Sequence, residues 1–149
     1  MAIADLLLEG KAYLDANVFI YTVEGYPGYA AILNQISDLM EAGELRAVTS
    51  ELTLAEVLVK PIADGDDKLV QTYLDTVDNS QGLLVVSVTR AMLIQAAGVR
   101  ASNSSLRLVD AIHVATAQAT ECRSVVTNDK RWKSVSGIHV ILLSEAVAS

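Results

Sequence analysis

Five short apolar runs, set between segments of helical spacing, constrain this chain more than any other feature. They are Ala12 to Asp15, Leu45 to Thr49, Leu83 to Val88, Ser124 to Thr127 and Ile138 to Leu143. Strand-like runs alternating with helix-like segments are the mark of βαβ units and a parallel sheet. Strand-like runs rich in apolar residues fit a sheet covered on both faces. About half the residues are apolar and only 5% are aromatic, so the core must be built from Leu, Val, Ile and Ala. The expected fold class is α/β with a central parallel sheet of about five strands.

Between the runs, Pro27 stands where a helix can begin, with Ile32, Leu33, Ile36, Leu39 and Met40 on one face and Gly43 as its stop. Ser50 can cap a helix carrying Leu52, Ala55, Leu58 and Val59, expected to end before Pro61. Asp66 can cap another with Leu69, Val70, Tyr73, Leu74 and Val77 on one face. Thr89 caps a helix to about Arg100, Ser102 to Ser105 reads as a loop, and a helix holds Asp110 to about Glu121. Ser144 is expected to cap a short last helix. No repeat, low-complexity tract or Pro/Gly-rich linker interrupts the pattern, so residues 1–149 read as one domain, with residues 1–10 as an extension before the first strand.

One cysteine, Cys122, excludes an intramolecular disulfide and a cysteine-based zinc site. No apolar run approaches the ~20 residues of a membrane span, and Met1 to Gly10 lacks the basic start of a secretory signal. The expectation is a cytoplasmic protein. A net charge of −7 argues at first against a nucleic-acid ligand, but the charge is unevenly spread. Met1 to Thr89 holds 14 acids against 4 bases, while Arg90 to Lys133 holds 7 bases against 3 acids. Such a basic segment can follow a phosphate backbone, or can simply be solvated surface.

Four acids occupy distinctive contexts. Asp15 and Asp129 each follow a strand, and in open parallel sheets ligands bind beyond the carboxyl ends of the strands. Glu56 and Asp110 are wrapped in aliphatic residues, where a carboxylate is costly without a partner or metal. Each also has a plainer role: Asp15 and Asp129 as caps, Asp110 as a favourable charge near a helix N-terminus, Glu56 as a solvent-facing residue. Convergent carboxylates without cysteine or clustered histidine suit Mg²⁺ or Mn²⁺ rather than Zn²⁺. Such ions lower the pKa of a bound water and offset charge on a phosphodiester, so phosphodiester hydrolysis is the expected chemistry.

The run Leu14-Asp15-Ala16-Asn17-Val18-Phe19-Ile20 resembles the opening strand and helix of PIN domains. Leu52 to Leu58 around Glu56 resembles their second acidic motif, Leu106 to Ala117 around Asp110 the third, and Thr127-Asn128-Asp129 with Lys130-Arg131-Trp132 the fourth. The motifs follow the family's order over nearly the whole chain, from Tyr13 to Leu143. The resemblance implies a three-layer α/β/α, Rossmann-like fold and a ribonuclease dependent on one or two Mg²⁺ or Mn²⁺ ions. It implies Asp15, Glu56, Asp110 and Asp129 as catalytic metal ligands, Asn17 as an auxiliary residue and Thr127 as a supporting hydroxyl. A helix cap is the plainer role for Asn17. Arg107, Lys130 and Arg131 are the candidate RNA contacts. VapC-like members imply a toxin, a homodimer, and a small VapB-like antitoxin, here expected in a groove by the helices of Ile32 to Met40 and Leu52 to Val59.

The chain departs from many relatives in its N-terminal extension and in Val109, which stands where they carry Pro. His113, one turn beyond Asp110, can face the site, with a structural or solvent-facing histidine as the plainer role, and Trp132 is expected to pack its loop rather than stack on a base. Two alternatives belong to other classes. One is a non-catalytic PIN-like binding module. The other is a phosphatase of the haloacid dehalogenase type, which wants a second Asp where Asn17 stands.

Overall fold

The computed structural model describes residues 3–7 and 10–148. Its strands are β1 (Lys11–Leu14), β2 (Arg46–Ser50), β3 (Leu83–Val86), β4 (Ser124–Thr127) and β5 (His139–Leu142). They form one parallel sheet in the order β3-β2-β1-β4-β5. Helices α1 (Ile3–Leu7), α2 (Ala16–Glu24), α3 (Ala30–Glu41), α4 (Glu51–Ala63) and α5 (Asp67–Asn79) precede β3. Helices α6 (Arg90–Ser102) and α7 (Leu108–Ala119) lead to β4, a 3-10 turn (Lys130–Ser134) leads to β5, and α8 (Leu143–Ala148) ends the chain.

Strand side chains alternate between the faces of a sheet, and that alternation divides the core. Ala12, Leu14, Ala47, Val126 and Ile141 join Val18, Phe19, Ile32, Leu33, Ile36, Val57 and Tyr73 from α2 to α5. Tyr13, Val48 and Val125 face the other way, onto Leu106, Val114, Ala117 and Trp132. The result is the expected α/β/α sandwich. Of the N-terminal extension, Ile3 and Leu7 are buried and α1 packs on α3; residues 1, 2, 8 and 9 lie outside the described ones.

Several boundaries differ from the sequence expectation. Pro27 does not open a helix: Gly28 after it has φ +88°, which makes a turn, and α3 starts at Ala30. Helix α4 does not stop before Pro61 but runs to Ala63. Pro61 is buried in the last turn, where its missing N–H costs a single bond, and Asp64 N–H closes the end on the Lys60 carbonyl at 2.9 Å. Ser50 is the N-cap residue of α4 without a capping bond from its side chain, which serves Tyr13 instead. β3 ends at Val86, α6 extends to Ser102, and α8 begins at Leu143, with Ser144 N–H held by the Asn128 side chain at 3.0 Å. Asp66 and Thr89 cap their helices through Leu69 and Met92 N–H.

Candidate active site

Strands β1 and β4 are adjacent, yet the chain leaves β1 toward β2 and β3 before it returns to β4. That reversal makes their carboxyl ends the switch point of the sheet, where a crevice opens. Asp15 follows β1 there and is buried. Its Oδ1 accepts Ala16 N–H and its Oδ2 accepts the Thr127 hydroxyl from the end of β4, both at 2.7 Å. Burial pushes the Asp15 carboxyl above its ordinary range, against the opposing pull of His113 and Thr127, and the charge of Glu56 adds to the rise.

Glu56 is brought in by α4. The Thr49 hydroxyl at the end of β2 donates to the Leu14 carbonyl at 2.9 Å, so Thr53 must donate to Thr49 across 2.7 Å. This pair pins the first turn of α4 to the end of β1, and Glu56 lies one turn further. Its carboxylate contacts His113 Nε2. Asp15 Oδ1 lies 3.9 Å from the same nitrogen. One ligand atom from each of Asp15, Glu56 and His113 falls within 4.8 Å of the others. Two carboxylates and an imidazole nitrogen so close together are a donor set that fits a divalent cation.

The other two predicted acids share a second arm of the crevice. Asp110, buried in the first turn of α7, accepts Arg107 N–H at 3.0 Å and its guanidinium at 3.0 and 3.1 Å. Asp129 caps the 3-10 turn through Arg131 N–H at 3.0 Å and takes the Arg131 guanidinium. The Arg131 hydrogen bond holds the Asp129 carboxyl below its usual range, and the same guanidinium reaches Asp110 at 3.6 Å. The structure therefore gathers Asp15 and Glu56 around His113, and Asp110 and Asp129 around Arg131.

Asn17 Oδ1 accepts Asn128 N–H at 3.4 Å and lies 3.5 Å from the Thr127 hydroxyl, tying α2 to the loop after β4. Of the basic segment, Arg107 and Arg131 face this crevice. Arg123 sits before β4, at the opposite end of the sheet, so the segment does not form one stripe. Trp132 is fully buried among core residues and packs its loop, as expected.

Sequence reasoning weighed a site-facing His113 but set it behind a structural or solvent-facing role. The side chain is completely buried, which is structural, but its Nε2 also faces the acids. Its Nδ1 meets the Tyr13 hydroxyl at 2.6 Å, and that hydroxyl donates to Ser50 Oγ at 3.0 Å. The available signal was the position of His113 three residues after Asp110, which places both on neighbouring helix faces.

The chain belongs to the PIN domain family, which residues 12–138 match. A comparison with curated proteins returns no match. Among solved structures, VapBC2 from Rickettsia felis bound to a DNA fragment from its promoter is similar, with a TM-score of 0.72 and 17% identity over 89% of this chain and 98% of that one. FitAcB from Neisseria gonorrhoeae has a TM-score of 0.69 and 16% identity, over 89% and 98%. VapC20 from Mycobacterium tuberculosis, a sarcin-ricin loop cleaving toxin, has a TM-score of 0.63 and 16% identity, over 87% and 98%. These likenesses are likenesses of fold.

Proposed function

We propose that this protein is a metal-dependent endoribonuclease of the VapC toxin type. The observation that carries the reading is the meeting of Asp15 and Glu56 with the His113 nitrogen at the switch point of the sheet. Asp15, Glu56, Asp110 and Asp129 would hold one or two Mg²⁺ or Mn²⁺ ions. When bound, such an ion lowers the pKa of a water and offsets charge on the scissile phosphodiester. The chain's own residues do the rest. Thr127 and Ala16 N–H hold the Asp15 carboxylate in place. Arg107 and Arg131, paired with Asp110 and Asp129, lie at the mouth and can exchange a carboxylate for an RNA phosphate, with the exposed Lys130 beside them. Asn17 acts by steadying the loop that carries Asp129.

Family membership and the VapBC-like fold support a small VapB-like antitoxin as partner. A groove of mixed polarity, with Phe19, Leu33, Ile36 and Met40 at its floor and Thr22, Glu41, Thr76 and Gln81 also lining it, offers it a seat. It borders α2, α3 and α5. Exposed Leu93, Ile94 and Leu108 on α6 and α7 suit a homodimer contact. Among the described residues no helix is long and apolar enough to cross a membrane. A cytoplasmic site of action is part of the proposal.

The test is cleavage of total RNA with Mg²⁺ or Mn²⁺ by the wild type and by Asp110→Asn. Loss of cleavage in the variant is expected, and equal cleavage by both overturns the assignment. A second reading, a non-catalytic binding module, draws on one observation: Arg107 and Arg131 already neutralise Asp110 and Asp129. It predicts that neither Mn²⁺ nor Mg²⁺ raises the melting temperature.

A further inference from the structure

We propose that His113 is itself a metal ligand, through Nε2, and that its nitrogen makes the site favour Mn²⁺ over Mg²⁺. This rests on the metal-dependent reading above and adds a residue outside the four acids.

The Tyr13 hydroxyl has one hydrogen and gives it to Ser50 Oγ. At 2.6 Å from His113 Nδ1, the Tyr13 oxygen must then accept, so Nδ1 carries the hydrogen and donates it. In the neutral imidazole this leaves the lone pair on Nε2. That lone pair is aimed at a Glu56 carboxylate oxygen, with an Asp15 oxygen 3.9 Å away. Three electron-pair donors therefore converge in a place where His113 and Asp15 are shielded from water. They repel one another unless something positive lies among them.

A proton answers one contact. A divalent cation answers all three and balances both carboxylates. The rest of the arrangement is that of a metal-bound histidine: its second nitrogen donates to an oxygen that fixes tautomer and ring orientation. Here that oxygen is the Tyr13 phenol, itself oriented by Ser50 at the start of α4. Tyr13 edges onto the imidazole at 5.6 Å between ring centroids, which further locks the ring. The alternation of β1 makes this possible, turning Tyr13 onto α7 while Leu14 faces the opposite layer. Mg²⁺ prefers oxygen ligands and gives up its waters reluctantly, whereas imidazole favours first-row transition metals.

The test uses the full chain, stripped with chelator and reloaded with Mn²⁺ alone or Mg²⁺ alone. Pulsed electron paramagnetic resonance of the Mn²⁺ form should show ¹⁴N modulation from a directly bound nitrogen. Labelling the histidines with ¹⁵N should shift it to the ¹⁵N pattern. The only other histidine, His139, starts β5 at the opposite end of the sheet, and His139→Gln should leave the signal intact. Tyr13→Phe should weaken Mn²⁺ binding about 10–100-fold, the usual effect of losing such a partner, and leave Mg²⁺ binding unchanged. His113→Gln should abolish the nitrogen signal. The wild-type spectrum decides the question even if a variant fails to fold. Bound Mn²⁺ with no nitrogen coupling overturns this proposal and leaves the nuclease reading standing. No bound Mn²⁺ or Mg²⁺ at all overturns both.

Discussion

Replacing Asp15 with Asn removes a negative charge from a buried position and keeps its shape. The remaining carbonyl oxygen can accept Ala16 N–H, and the new amide can donate to Thr127, whose own hydrogen can turn to Asn17 Oδ1 at 3.5 Å. No hydrogen bond need be lost, so the variant reports on charge. Burial raises the Asp15 carboxyl in the folded protein. A raised folded value contributes stability that is complete below the unfolded value of about 3.9 and is lost as pH rises through the folded one. Asp15's own contribution in the metal-free wild type should therefore fade above about pH 4, and Asp15→Asn should lack that loss. In EDTA at pH 7 the variant should melt higher than the wild type, with the gap closing as the pH falls below the carboxyl range.

Added Mn²⁺ should reverse the order. At a free concentration of 100 times Kd, a cation bound only by the folded state adds about 2.7 kcal/mol. For a chain of this length that is a rise of about 5–11 °C. The wild type should show it, and Asp15→Asn should show little of it. Differential scanning calorimetry at several pH values, with chelator and with Mn²⁺, measures both effects. If Asp15→Asn melts below the wild type in EDTA at pH 7, the hydrogen bonds outweigh burial and the electrostatic account is wrong. If it keeps the full Mn²⁺ response, Asp15 does not hold the ion.

Three further outcomes follow from the packing and the charges. Trp132, the only tryptophan, is fully buried, so Trp132→Ala should cost about 3–5 kcal/mol in denaturant titration, while a milder Trp132→Phe should leave RNA affinity at wild-type level. Gly82 has φ +80°, and a Cβ there would stand 2.8 Å from the Met40 carbonyl oxygen. Gly82→Ala should thus lower stability by about 1–3 kcal/mol, and a neutral result would mean that the turn into β3 can relax. Lys130→Ala should weaken RNA binding in a salt-dependent way, reducing the slope of log K against log salt by about 0.7 with no change in melting temperature; an unchanged slope would remove Lys130 from the RNA path.

How much of this was legible beforehand depends on which kind of information each feature carries. The five strands announced themselves as apolar runs, and two acids announced their position by following strands. Cross-layer partners leave no such trace. Nothing in the one-dimensional pattern says that Tyr13, turned to one face by strand alternation, meets His113 on α7, or that Ser50 gives up capping to serve Tyr13. Pro61 misled because the rule for proline describes a helix interior, and this proline lies in a final turn. The acids show why capping and catalysis could not be separated by sequence. Asp15 caps α2, Asp129 caps the 3-10 turn, and Asp110 holds the N-terminus of α7. In a parallel sheet every strand delivers the chain to the same rim, so the helices that follow begin there. Helix α7, which carries the chain back to the start of β4, must begin there too. A carboxylate that caps such a helix is thereby placed among the others. Capping and clustering are two consequences of one topology, and only the partner each oxygen meets tells them apart.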